Sequence, residues 1–257
     1  MPPRTMSDSN IALTMKLLWG IARKTGWSGL SAASIVDAAV DLADQSGLDA
    51  VSMRHIATSL GAGTMSLYAH VPGKADLVSL MVDAVLGELY PDADAPIRAG
   101  GGWKGGLVFI AESNWALYDR HPWLLDVSGA RPVLGPNACL KYEAELRPLE
   151  GIGLSDLEMD SVLTLVLTHV EGTARSLAAQ RFAAEETGRD DRSWWEEAGP
   201  LLGELIDEKQ FPVSSRVGSA AGEAYQAVGD PTRAFRFGLD RILDGVTFLL
   251  ESKKASS

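Results

Sequence analysis

Between residues 50 and 75 the chain carries no carboxylate, yet Arg54, His55, His70 and Lys74 all fall there. Such a run suits contact with a polyanion, because phosphate attraction depends on the charge of the facing surface and not on the whole-molecule sum. In the same run Thr64, Met65, Ser66, Tyr68 and His70 follow one another closely. Small hydrogen-bonding groups and aromatic rings on a short rigid element are what a major-groove reader needs. The competing reading is an ordinary helical corner whose polar side chains are merely solvated.

The elements that would position these groups are legible in the stretch VSMRHIATSLGAGTMSLYAHVPGK, residues 51–74. Ser52 suits an N-cap, since its hydroxyl can accept from a free amide of the first turn. Ile56 and Leu60 lie four apart on one stripe, with small Ala57 beside them. Gly61 can take the left-handed conformation that ends a helix, and Gly63 keeps the turn permissive. A second helix starts at Thr64, and Leu67 and Val71 pin its inner face. Thr64, Met65, Ser66, Tyr68 and His70 are left mostly outward, and Pro72-Gly73 stop the helix. Upstream, the spacing predicts a helix over 32–45, capped by Ser31, stopped by Gly47 and buried through Ile35, Ala38, Ala39, Leu42 and Ala43. Downstream it predicts one over 74–89, with Leu77, Leu80, Met81, Ala84, Val85 and Leu89 on its inner stripe.

The remainder reads as helical. Residues 11–23 suggest a short helix with Ile11, Met15, Leu18 and Ala22 to one side. That extension either packs on the next domain or, through Lys16, Arg23 and Lys24, follows DNA phosphates or enters a minor groove. Residues 91–102 read as a linker. Helices are expected over 103–120, 136–149, 155–185 and 231–250, with a short turn at 123–128. A helix over 189–208 would be interrupted at Gly199-Pro200, and 209–222 reads as an irregular polar loop. Ser155 and Glu158 have capping-box spacing. No alternating Val/Ile/Thr run signals a strand.

The net charge of −11 is distributed unevenly: residues 1–90 contribute −2 and residues 91–257 contribute −9. An acidic remainder would suppress non-specific binding to nucleic acid. No apolar run reaches the 18 residues of a membrane span. Lys16, Gly20, Arg23 and Lys24 interrupt any signal-peptide core. The single cysteine, Cys139, excludes an intramolecular disulfide. Together these make the cytoplasm the expected location.

The residues from Ser31 to Ala84, SxxxIxxAAxxLAxxxGLDAxSMRxIAxxLGxGxMSLYxHVPGKxxLxxLMxDA, closely resemble the DNA-binding domain of the tetracycline-repressor (TetR/AcrR) family of bacterial regulators. Phe235-Arg236-Phe237-Gly238-Leu239 with Ile242-Leu243-Asp244-Gly245 resembles the last helix of that family's C-terminal domain. The resemblance implies an all-α chain: an N-terminal extension (1–30), a helix-turn-helix domain (31–90) and a larger ligand-binding and dimerisation domain (91–257). It implies a homodimer on a near-palindromic double-stranded operator, released by a small-molecule effector of unknown identity. By position, Arg54 would read a base edge, and Thr64, Met65 and Ser66 would face bases. Tyr68, His70 and Lys74 would contact phosphates, and Ser52 would add a phosphate hydrogen bond to its cap. Tyr68 could instead pack on the preceding helix, and His70 could cap a helix end.

For the effector, Asn114 is a polar residue in line with Leu107, Ile110, Ala111 and Tyr118. Trp103, Phe109, Trp115 and Trp123 could line a pocket with it, although buried aromatics more often build core. His169, among Val162, Leu165, Val166 and Val170, is a further ligand candidate or else a satisfied interior histidine. Trp194-Trp195 could be a lid, a dimer contact or packing. The four dispersed histidines lack metal-ligand spacing. No GxSxG, P-loop or dinucleotide fingerprint is present. The expected function is therefore a DNA-binding transcriptional regulator without cofactor, membrane partner or enzymatic activity. The alternative is a helical small-molecule-binding or interaction protein whose helix-turn-helix only packs.

Overall fold

The computed structural model describes residues 11–21, 30–127 and 131–255, and all regular elements among them are helical. The chain forms two compact units, Met1–Leu167 with Thr247–Ser257, and Thr168–Val246. Among the described residues no helix is long and apolar enough to cross a membrane.

In the first unit, α1 (Ile11–Leu18) leads to α2 (Ala32–Ser46), a 3-10 turn at Leu48–Ala50, α3 (Met53–Ser59), α4 (Thr64–Tyr68) and α5 (Lys74–Leu86). Ser31 caps α2 in a reciprocal box with Ser34. The inner faces of α2 to α5 close one core around Ile35, Val36, Ala39, Ile56, Leu67, Val71, Leu77 and Met81. Ala38 and Leu42 pack at its margin. At the turn after α3, Gly61 has φ +62°, the left-handed region where a side chain would be strained.

Polar side chains take several inward positions where apolar ones were expected. On α5, Ala84 is exposed and Asp83 is buried. The reason lies in α8 (Pro136–Leu146): the Ala138 amide donates to Asp83 Oδ1 at 3.0 Å, so the carboxylate sits at the positive helix start. Burial raises the Asp83 carboxyl above the usual range, while bonds from the Ala138 and Asn137 backbone oppose that rise. Gly135 is pressed against it, and a Cβ there would lie 2.1 Å from Asp83 Oδ1. On α1, Ile11 is exposed and Thr14 faces inward, donating to Asp76 Oδ1 on α5 at 2.6 Å. Trp19 Nε1 donates to Leu134 O at 2.9 Å. The described part of the extension therefore packs on the protein. Ala22, Arg23 and Lys24 lie outside the described residues.

The segment expected as a linker holds α6 (Ala95–Arg98), with Ala95 and Pro96 buried. Gly100, Gly101 and Gly102, all at positive φ, then turn the chain into α7 (Gly102–Arg120). A 3-10 turn at Pro122–Asp126 follows; Ser128, the end of that expected turn, lies outside the described residues. The helix expected to reach residue 149 ends as a 3-10 turn at Arg147–Leu149. The longest helix is α9 (Asp156–Thr187), and α12 (Pro231–Ala255) closes the chain. Part of each belongs to either unit.

Glu158 accepts from the Ser155 amide at 2.7 Å and from Lys253 Nζ at 2.5 Å, joining the start of α9 to the end of α12. The bond from Lys253, then those from Ser155, lower its carboxyl from 4.5 to about 2. A carboxyl lowered on folding stabilises above its unfolded value, and that contribution is lost as pH falls through the folded one. Thermal melting should therefore show a step of destabilisation between pH 4.5 and about 2 that is smaller in Glu158→Gln.

In the second unit, α10 (Asp191–Leu205) runs on through Gly199-Pro200, and residues expected as a loop form α11 (Pro212–Tyr225). Trp195 explains both. A Cβ at Gly222 would lie 2.6 Å from its ring and one at Gly199 3.1 Å, so the indole fills the contact of the two helices. Pro212 at the helix start needs no amide partner.

Candidate nucleic-acid interface

The reading surface is built on α3 and α4. Ser52 accepts from the His55 amide at 3.2 Å and so caps α3. Two residues on, Arg54 is exposed. Leu67 and Val71 are fully buried and fix the inner side of α4 and its exit. This turns Met65 outward at 81% exposure, with Ser66 and Tyr68 also exposed and Thr64 and His70 half-buried. Met65 can offer a base only an apolar contact, whereas Thr64, Ser66 and Tyr68 can donate or accept. Lys74 Nζ donates to Leu48 O at 3.3 Å, which holds the ammonium at the start of α5 beside the 3-10 turn. The nearest acid along the chain, Asp76, is buried on Thr14. Sequence reasoning found the surface but missed this partner, because nothing in the spacing of 14 and 76 announces it.

The expected effector residues separate. Trp103, Phe109, Trp115 and Tyr118 are half-buried along α7, and Phe109 packs on Tyr90 with ring centroids 6.1 Å apart. Asn114 points inward, as its place in the apolar stripe suggested. Its Nδ2 donates to Glu145 Oε1 at 2.7 Å and to Ile110 O at 2.9 Å. Tyr90 Oη donates to the same Glu145 oxygen at 2.9 Å, and Lys141 Nζ meets the other at 2.6 Å. Glu145 is only 1% exposed. Burial first, then Glu145, push the Tyr90 phenol well above its usual value. The sequence signal for this centre was an ordinary Lys141–Glu145 pair four apart, indistinguishable from a solvated one until Ala144 and Leu149 were seen buried beside it.

Trp123 does not join these residues. It is 2% exposed within the core of α2 to α5, and its Nε1 donates to Asp44 Oδ1 on α2 at 2.7 Å. In the second unit, His169 Nε2 lies 2.9 Å from Phe235 O, and its ring stacks on Phe235 with Gly238 against it. That is the satisfied-histidine alternative. Among the described residues no three His, Cys, Asp or Glu side chains are placed to hold a metal ion.

Residues 35–81 match the family model for bacterial regulatory proteins of the tetR family, and residues 95–250 match the tetracyclin repressor-like C-terminal domain. The chain belongs to the TetR family. It is a DNA-binding transcriptional regulator, all-α, with an N-terminal helix-turn-helix and a larger helical domain. Among TetR-family relatives it is 37% identical over 256 residues to the HTH-type transcriptional repressor DrrR1 of Streptomyces coeruleorubidus, covering 98% of this chain and 92% of that one. It is 34% identical over 152 residues to an HTH-type transcriptional regulator of Saccharopolyspora erythraea, 59% of this chain and 62% of that one. The Streptomyces coelicolor TetR-family protein ActR in complex with actinorhodin superposes with a TM-score of 0.68 at 25% identity, covering 87% of this chain and 99% of that one.

Proposed function

We propose that this regulator is a repressor that binds a near-palindromic operator as a homodimer and is released by a small organic effector. The observation that carries the operator reading is α4, pinned inward by Leu67 and Val71 and presenting Met65, Ser66 and Tyr68 outward, with Thr64 half-exposed, from a stretch of chain without a carboxylate. Arg54 reads a base edge. Thr64, Met65 and Ser66 face bases, and Tyr68, His70, Lys74 and Ser52 meet phosphates. The division into reading domain (31–90) and effector domain (91–257) follows from these roles. Repression and effector release are supported by the likeness to DrrR1 and to ActR with actinorhodin. The effector meets the half-buried aromatic side chains of α7, Trp103, Phe109, Trp115 and Tyr118.

Dimerisation is supported by apolar side chains left exposed on the two long helices: Leu157, Leu165 and Phe182 on α9, Phe237 and Phe248 on α12. Pairing these helices with their symmetry mates would make a four-helix interface. The chain acts at DNA in the cytoplasm.

Arg54→Ala should weaken operator binding by about 1–3 kcal/mol, the worth of a bidentate base contact, and relax specificity at one position per half-site. Fluorescence anisotropy on the operator and on single-base variants measures both. Unchanged affinity would remove Arg54 from base reading.

A further inference from the structure

His121 lies between α7 and the 3-10 turn at Pro122–Asp126 and is almost wholly buried. Both ring nitrogens face carboxylates. Nδ1 is 2.8 Å from Asp44 Oδ1 on α2, and Nε2 is 3.3 Å from Glu88 Oε2 just past α5. Arg120, the last residue of α7, donates to the same Glu88 oxygen at 2.5 Å. Trp123 Nε1 shares Asp44 Oδ1 with the imidazole. Asp44 on α2, Glu88 just past α5 and Arg120 on α7 are thus the charged members of this cluster with the ring. A neutral imidazole has one N–H and leaves one carboxylate facing a lone pair; only the cation donates to both. Hydrogen bonds between ionised partners are the stronger kind. The ring therefore ties the first helix of the reading module and the end of α5 to α7 through bonds that depend on one proton.

We infer that His121, as the imidazolium, is a positioning residue for operator binding: it clasps Asp44 and Glu88 and so fixes the reading module on α7. The inference rests on the operator reading above. A clasped module is pre-organised, whereas an unclasped one must lose orientational freedom when two heads enter successive grooves. Loss of the second N–H loosens the clasp and lowers affinity. His55 and His70 also lie on the reading module, so the test compares proteins that share them.

The test uses the full-length wild-type chain and a duplex that this protein selects from a random-sequence pool, with a scrambled duplex as reference. Specific affinity is measured from pH 6 to 8 at constant ionic strength for wild type, His121→Gln and Asp44→Asn. Wild-type affinity should fall about tenfold more over this range than that of either variant, the scale of one charge-assisted bond. At pH 6 each variant should bind more weakly than wild type while melting as one cooperative transition. Identical pH profiles in wild type and His121→Gln would overturn the inference. Histidine-selective 15N spectra of the free wild-type protein give a reading independent of DNA. Both His121 nitrogens should be protonated at pH 6, and a neutral ring there would also overturn it. Failure to select any duplex would instead remove the operator reading, and the ring spectrum would still decide the proton.

Discussion

Lys141→Met should lower the unfolding free energy of the full chain by about 3–5 kcal/mol at pH 7, the cost of leaving one partner of a buried ion pair uncompensated. Glu145 is 1% exposed, so water cannot replace the ammonium at its second oxygen. Tyr90 and Asn114 already donate to the first oxygen, and neither carries charge. The double variant Lys141→Met/Glu145→Gln should recover most of the loss, because a neutral amide still accepts from Tyr90 and Asn114 and leaves no buried charge. Urea denaturation at one fixed protein concentration measures all three, since association would otherwise shift the apparent stability. A Lys141→Met midpoint equal to that of wild type would mean that Glu145 is solvated in solution.

The second large effect belongs to Trp123. Trp123→Ala should cost about 3–5 kcal/mol, the usual penalty for truncating a buried aromatic. The indole lies in the core of α2 to α5 although it is contributed by the turn after α7. Its removal should therefore loosen the reading module from its neighbour as well as leave a cavity. Trp123→Phe keeps a six-membered ring and loses the donor to Asp44 with the rest of the indole, so it should cost less than Trp123→Ala, about 1–3 kcal/mol. Hydrogen exchange of α2 amides, compared between these variants, separates loss of the bond from loss of the packing. Equal protection of α2 in wild type and Trp123→Ala would contradict this anchoring.

The reading module was legible because its determinants are local. Ser52, Gly61, Leu67 and Val71 act within a turn or two of the chain, and each does what its spacing implies. In the larger domain α7, α8, α9 and α12 were legible for the same reason, whereas α6 and α11 were not. What stayed hidden depends on contacts distant in sequence. Asp83 is buried because it meets the start of α8, which its helical period could not show. Residues 209–222 looked irregular because Pro212, Gly218 and several polar side chains interrupt any apolar period, yet Trp195 packs on Gly222 of α11, which takes up 212–222. The Gly199-Pro200 break failed to appear for a related reason: α10 continues while Gly199 accommodates the same indole. Trp123 and His169 carry the right chemistry for a pocket, but only their partners, Asp44 and Phe235, reveal what they hold. The inward turn of Asn114 on α7 follows from period, because it shares the buried stripe of Leu107, Ile110 and Ala111.

The most direct test of the account is selection of bound duplexes from a random pool by the full-length protein, with the mass of the resulting complex. A near-palindrome should be enriched whose half-sites lie about one helical turn apart, roughly 34–36 Å, with two chains related by a dyad. Binding should weaken steeply with salt as phosphate contacts release counterions. Enrichment of no sequence, or of one asymmetric site bound by a single chain, would contradict it.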